Sequence, residues 1–370
     1  MAIKKRGSLN PRSSQGRRFL MKRNYIFIFS LIVFIGINGI IFAEKAATLS
    51  PLVYPRKIVA DGNRIFISDY PFIYIYSRTD YKLLKKFGGK GEGPGEFYIQ
   101  TELVHQKEKG LQIYVQPDYL LVNSMGKVLF FNRDGDFTRM VRFNPYGFGR
   151  QFIPLGKNFA AWETARAKGR RYTAVNLYGP DLHKIKEIYE CDFPFDLSVG
   201  SSTKFRFFIL EGPIYDTCDN KLFTSFSGIQ KFAIDVFNEN GEKLYTISTD
   251  YEKIKLTDED ADRYKSDFKY IYKRGLESNL KNTIFPEYFP AIRNFSVADG
   301  KIYVLTFKKE GNKSEFVIFD LKGNLLKKIM APVAEMNAKQ FFPYSITDGK
   351  FYQIIENEDE IWELHVTNIE

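Results

Sequence analysis

The stretch FGGKGEGPGEF, Phe87 to Phe97, places five glycines and a Gly-Lys pair within eleven residues, the composition of a loop that cradles phosphate. The chemistry does not carry through. Gly91 rather than Ser or Thr follows Lys90, no helical pattern follows to receive an anion, and Glu92 and Glu96 would repel one. The three histidines, His105, His183 and His365, show no metal-ligand spacing, and no G-x-S-x-G marks a nucleophile. Asp134 and Asp136 in NRDGDF have the spacing of a hairpin turn and lack the remaining ligands of a calcium loop. A cluster of cations, Arg166, Lys168, Arg170 and Arg171 in TARAKGRRY, suits a carboxylate, an anionic sugar or an acidic partner. A solvated charged hairpin is the simpler account of the same residues.

The elements that must position these residues repeat along the chain. A turn followed by a short strand recurs as ADGNRIFIS, KEKGLQIYV, LGKNFAAWE, TCDNKLFTS, ADGKIYVLT and TDGKFYQII. A strand, polar turn and second strand follow almost every time, as in VLFFNRDGDFTRMVRF and FVIFDLKGNLLKKIM. Turn positions at 62, 110, 156, 220, 300 and 349 give four gaps of 46 to 64 residues and one of 80. Six units of about four strands predict an all-β, six-bladed β-propeller over residues 45–370, and an aromatic content of 16% fits half-buried strands. Phe87–Phe97 then reads as a connector between blades. The sixth unit lacks a strand, so residues 46–54 are expected to supply the outer strand that closes the ring.

The 80-residue gap predicts one helical insertion near 257–285. Thr257 and Asp260 form a capping-box-like start; Ala261, Tyr264, Phe268, Ile271 and Tyr272 share a face, and Gly275 ends the helix. The insertion is either a lid or docking element or simply packs on the ring. The first strand of each blade lines the channel, and the residues at those strand starts include Arg56, Glu102, Arg150, Tyr215, Arg293, Asn294 and Tyr344. Such a set suits a polar ligand, or serves to satisfy itself and bound water. Cys191 and Cys218 fall on an outer and an inner strand, too far apart for a disulfide, which predicts two free and mostly buried thiols.

The net charge of +10 belongs to the N-terminus. Residues 1–43 hold eight of the 54 basic residues and no acid, which leaves 46 basic against 44 acidic. This removes the case for nucleic acid. Residues 1–20 read as a basic disordered extension. Residues 21–44 have the layout of a signal peptide, while the apolar run 25–43 is also long enough for a membrane anchor; either places the body outside the cytoplasm.

GKGEGPGEF resembles the G-x-G-x-G-P-G-x-F signature between blades of NHL-repeat proteins and related bacterial exported six-bladed propellers. That resemblance implies six four-stranded blades with pockets on one face, and no single chemistry, since members bind, hydrolyse lactones, cleave or oxidise. The first expectation is an exported scaffold binding a protein, glycan or small anionic ligand on the insertion face, without a cofactor. The alternative is a metal-dependent lactonase or lyase. Gluconolactonase-type relatives hold a divalent cation in the channel, where Glu102 and Asn294 would take part.

Overall fold

The computed structural model describes residues 43–98, 110–143, 151–167, 170–192, 205–206, 213–226, 231–271 and 283–370. Residues 42–370 form one compact unit, built of six four-stranded antiparallel sheets and one two-stranded parallel pair. Blade I comprises Lys57–Asp61, Arg64–Asp69, Phe72–Ser77 and Leu83–Gly88. Blade II comprises Gln112–Val115, Leu120–Ser124, Lys127–Phe131 and Phe137–Arg142. Blade III runs through Ile153–Leu155, Asn158–Ala167, Arg170–Tyr178 and Lys184–Asp192. Blade IV holds Pro213–Cys218, Lys221–Phe226, Ala233–Phe237 and Lys243–Ser248. Blade V holds Asn294–Ala298, Lys301–Glu310, Lys313–Asp320 and Leu325–Pro332. Blade VI holds Tyr344–Thr347, Lys350–Glu356 and Trp362–Asn368, and its outer strand is Glu44–Thr48.

The middle strands are buried on both faces because each blade is sandwiched between two neighbours. In blade I, Ile65 and Ile67 face a core shared with Tyr352, Ile354 and Trp362 of blade VI. Phe66, between them, faces Ile113, Val122 and Phe131 of blade II. The two-residue period of the strand thus separates two cores instead of core from water. Outer strands do meet water: Leu83–Gly88 is largely exposed, whereas Leu120–Ser124 is buried throughout.

Tight turns join first and second strands, and Asp299-Gly300 and Asp348-Gly349 have positive φ at both positions, the conformation that matches strand twist. Blade II departs from the expected register. Its first strand is Gln112–Val115 and its first turn is Gln116 to Tyr119, closed by the Gln116 N–H to Tyr119 carbonyl bond at 2.8 Å. Gly110 precedes that blade; the true turn, QPDY, carries no glycine, and its proline and aspartate supply the bend.

Ring closure occurs two residues earlier than expected. Glu44–Thr48 pairs with the last strand, Thr48 opposite Glu363, and Pro51 and Pro55 bar any extension because they lack an N–H. The glycine stretch is a connector. Phe97 is fully buried against Phe87, Phe131 and the backbone of Gly88, where a Cβ would lie 2.2 Å from the Phe97 ring. Lys127, fully buried, donates to the Gly91 carbonyl at 3.2 Å. Asp134 and Asp136 sit in the blade II outer hairpin, where Arg64 and Lys85 of blade I each bond one of them at 2.6 Å.

Among the described residues the insertion contains one helix, α1 (Asp258–Ile271). Its start is the expected capping box, with the Asp260 N–H donating to Thr257 Oγ1 at 3.1 Å and the Thr257 N–H to Asp260 Oδ2 at 3.0 Å. Ala261 and Tyr264 are buried against Leu256, Phe289, Phe307 and Ala338. Tyr272 and Gly275 lie outside the described residues. Farther on, Thr283–Ile284 pairs in parallel with Phe205–Arg206. Cys191 and Cys218 are not joined in a disulfide and are half-buried, and burial pushes the Cys218 thiol up to about 11.

Candidate functional site: the mouth of the central channel

The first strands converge on a cavity of about 350 Å3, at the small end of the range for small-molecule sites. Arg56 and Lys57 enter it from blade I, Tyr114 from blade II, Tyr215 and Asp216 from blade IV. Asn294 and Ser296 of blade V, Tyr344 of blade VI, and Gln340 and Phe341 of the loop 333–343 complete the wall. Because this end of each first strand receives the chain from the preceding outer strand, the cavity opens on the face that carries the insertion.

Hydrogen bonds between neighbouring blades fix the wall. Asp216 Oδ2 accepts the Val297 N–H at 2.8 Å, Oδ1 accepts the Thr217 N–H at 2.8 Å, and so blade IV is tied to blade V. Asn294 Nδ2 donates to the Tyr344 hydroxyl at 2.7 Å, joining blade V to blade VI. The Ala60 N–H donates to Ser345 Oγ at 3.1 Å, joining blade I to blade VI. On the far side the Asn123 side chain exchanges two bonds with Phe152.

Three charged side chains line this space, Arg56, Lys57 and Asp216. Burial lowers the pKa of Lys57, an effect that the Asp216 carboxylate partly offsets. Burial likewise raises Asp216, against the pull of the Val297 N–H, Lys57 and the Thr217 N–H. The Lys57 ammonium has no hydrogen-bond partner and no ion pair within 4 Å among the described residues, whereas both Asp216 oxygens are occupied. Desolvation keeps the Tyr114 and Tyr215 hydroxyls protonated far above neutral pH and pushes Tyr344 up to about 12. The cavity therefore presents one unpaired cation among protonated hydroxyls. It suits a small anion with further polar groups.

Arg293 belongs elsewhere. Its guanidinium pairs with Glu335 and donates to the Ala338 carbonyl at 3.2 Å, and it stacks on Phe341, 4.1 Å from the ring centroid. Glu335 also pairs with Lys309 at 2.6 Å and Arg263 of α1 at 2.8 Å, and these cations hold its carboxyl down at about 2 despite burial. The Ala338 N–H donates to Asp267 of α1 at 2.6 Å. Helix α1 is thus bonded to the same loop that supplies Gln340 and Phe341 to the cavity.

Of the residues singled out in the sequence, Arg56, Tyr215, Asn294 and Tyr344 come together here. Glu102, Arg150 and Lys168 lie outside the described residues, and with blade II starting at Gln112, Glu102 precedes its first strand by ten positions. In the blade III hairpin Arg166 stands opposite Arg171 and Ala167 opposite Arg170, at the end of the blade that shares the cavity's face. Sequence reasoning missed Lys57, Tyr114 and Asp216. Lys57 and Asp216 adjoin chosen residues, and Tyr114 was hidden by the blade II register. Among the described residues there is no group of three or more His, Cys, Asp or Glu that could hold a metal, and no helix is long and apolar enough to cross a membrane.

No protein-family model matches the chain, and no curated protein matches it by sequence. Among solved structures it is similar to hydrazine synthase of Kuenenia stuttgartiensis at 12% identity, covering 82% of this chain and 74% of that one, with a TM-score of 0.40. It is also similar to the AfRom2 CNH domain at 11% identity, covering 88% and 98%, with a TM-score of 0.37. Likenesses this distant say nothing about chemistry; the blades themselves make the chain a six-bladed β-propeller.

Proposed function

We propose that the protein is a binding scaffold that takes a small anionic, polar ligand at the channel mouth. The observation that carries this reading is the Lys57 ammonium, without a partner among the described residues, in a cavity whose polar lining includes Arg56, Asp216, protonated tyrosines and amides. A carboxylate entering there gives the lysine a counter-charge in a low-dielectric site, while Asp216, engaged by two backbone N–H groups, does not compete for it. Burial of the lysine is a cost that ligand binding repays.

Residues 21–44 support an exported location through their basic start and apolar run, and a glycan acid or an acidic side chain of a partner protein would present the same carboxylate. The NHL-like signature at Phe87–Phe97 agrees with an exported propeller of this kind. The metal-dependent lactonase or lyase reading has no specific observation in its favour among the described residues. Calorimetric titration of the protein with oxalate and with galacturonate tests the proposal. Saturable binding that Lys57→Met weakens at least about tenfold supports it, and equal affinity of the variant and the unchanged protein refutes it.

A further inference from the structure

The channel mouth holds more than a cation. A lysine that meets an anion only electrostatically normally sits where water or a carboxylate solvates it, as Lys85 does on Asp136 and Lys309 on Glu335. Lys57 has neither a carboxylate in contact nor a hydrogen-bond acceptor among the described residues, and its nearest acid acts on it only through the field. Its nitrogen faces a cavity large enough for a molecule of several heavy atoms. The Tyr114 hydroxyl, which lines the same cavity, also has no hydrogen-bond partner among the described residues. Arg56, the preceding residue, brings a guanidinium to the same wall. A nucleophile, a proton donor and a carboxylate-binding cation thus share one small space.

From this arrangement we propose that Lys57 forms a reversible imine with a small carbonyl compound that carries a carboxylate, an α-oxo acid or an aldehydic acid. The inference rests on the anion-binding reading above and names the ligand's reactive group. The neutral amine adds to the carbonyl carbon, forming the C–N bond, and a proton passes from nitrogen to the former carbonyl oxygen. The resulting carbinolamine loses that oxygen as water, with the Tyr114 hydroxyl delivering and recovering the proton, and the C=N bond forms with no net oxidation. Burial supports the first step because it favours the uncharged amine. The Asp216 carboxylate faces the iminium that protonation of the product creates, and Arg56 holds the carboxylate.

The test is reductive trapping on the full chain. Glyoxylate at limiting concentration is incubated with the protein and cyanoborohydride, which delivers hydride to the imine carbon and leaves a carboxymethyl group on the lysine nitrogen. Peptide mapping then ranks every lysine by rate. Lys57 is expected to be modified about tenfold faster than exposed Lys82, and the excess should vanish in the presence of oxalate. Lys57→Arg, which removes the primary amine, is expected to lose all labelling at position 57, to melt like the unchanged protein and to leave the labelling of other lysines as before. Labelling of Lys57 no faster than Lys82 overturns the inference. If oxalate still binds in that case, the binding reading stands without the imine; if oxalate does not bind either, both fall.

Discussion

Two groups of charges flank the loop 333–343, and they are built in opposite ways. On one side Glu335 draws Arg263, Arg293 and Lys309 onto a single carboxylate, and Arg293 is 4% exposed. On the other side Lys57 and Asp216 line the same cavity and act on each other without forming an ion pair. Arg293 and Asn294 are consecutive in sequence, yet Arg293 reaches Glu335 whereas Asn294 lines the cavity and donates to Tyr344. The difference teaches what each side is for. The Glu335 group fixes an architecture, joining α1, blade V and the loop; the channel mouth keeps an interaction unmade.

The sharpest way to break this contrast is Glu335→Ala. It strands Arg293 in a buried site and should destabilise the protein by about 3–5 kcal/mol, visible as a lower denaturant midpoint; a loss below about 1 kcal/mol would show the group to be dispensable. The same carboxylate sets an acid limit. Its folded pKa of about 2 lies below the ordinary 4.5, so its contribution is complete above pH 4.5 and is lost as pH falls towards 2. Urea unfolding from pH 6 to pH 3 should show a decline that Glu335→Gln flattens.

Asp267→Ala removes a single bond to the Ala338 N–H and should cost about 1–2 kcal/mol. It should also loosen the cavity wall, read as faster amide exchange at 338–342. Lys57→Met, by contrast, should leave stability within about 1 kcal/mol or raise it, since it removes a desolvated charge that has no partner among the described residues. A large loss of stability in that variant would make Lys57 structural and dissolve the comparison. The smallest effect expected is that of EDTA, which should leave the melting temperature unchanged; a stoichiometric ion and a shift on its removal would revive the metal-dependent alternative.

The ring was legible in the sequence because each blade repeats the same turn chemistry. Asp299-Gly300 and Asp348-Gly349 announce their hairpins, and the unfinished last unit announces its missing strand. Blade II was misregistered by one strand since its first turn is QPDY, while Gly110, which resembles a turn, belongs to the approach. The channel mouth was half legible. Strand starts could be counted, which found Arg56, Tyr215, Asn294 and Tyr344. Which way a side chain turns at a strand start depends on partners distant in sequence. Arg293 turns towards Glu335, 42 positions on, and Asp216 is fixed by Val297, 81 positions on. No local pattern records such pairings.

Closing the last blade with Glu44–Thr48 has a kinetic consequence. The partner of this strand is Trp362–Asn368, and the Lys45–Glu363 pair spans 318 positions. Among the described strands, the earliest in sequence therefore makes one of the most distant pairings, and it is expected to find its place after the other blades have stacked. Until these two strands pair, the hydrogen-bonding edge of each stays open, and these are the edges at which two chains would exchange strands. Ring closure, rather than formation of any single blade, is where slow folding and strand-swapped dimers should concentrate.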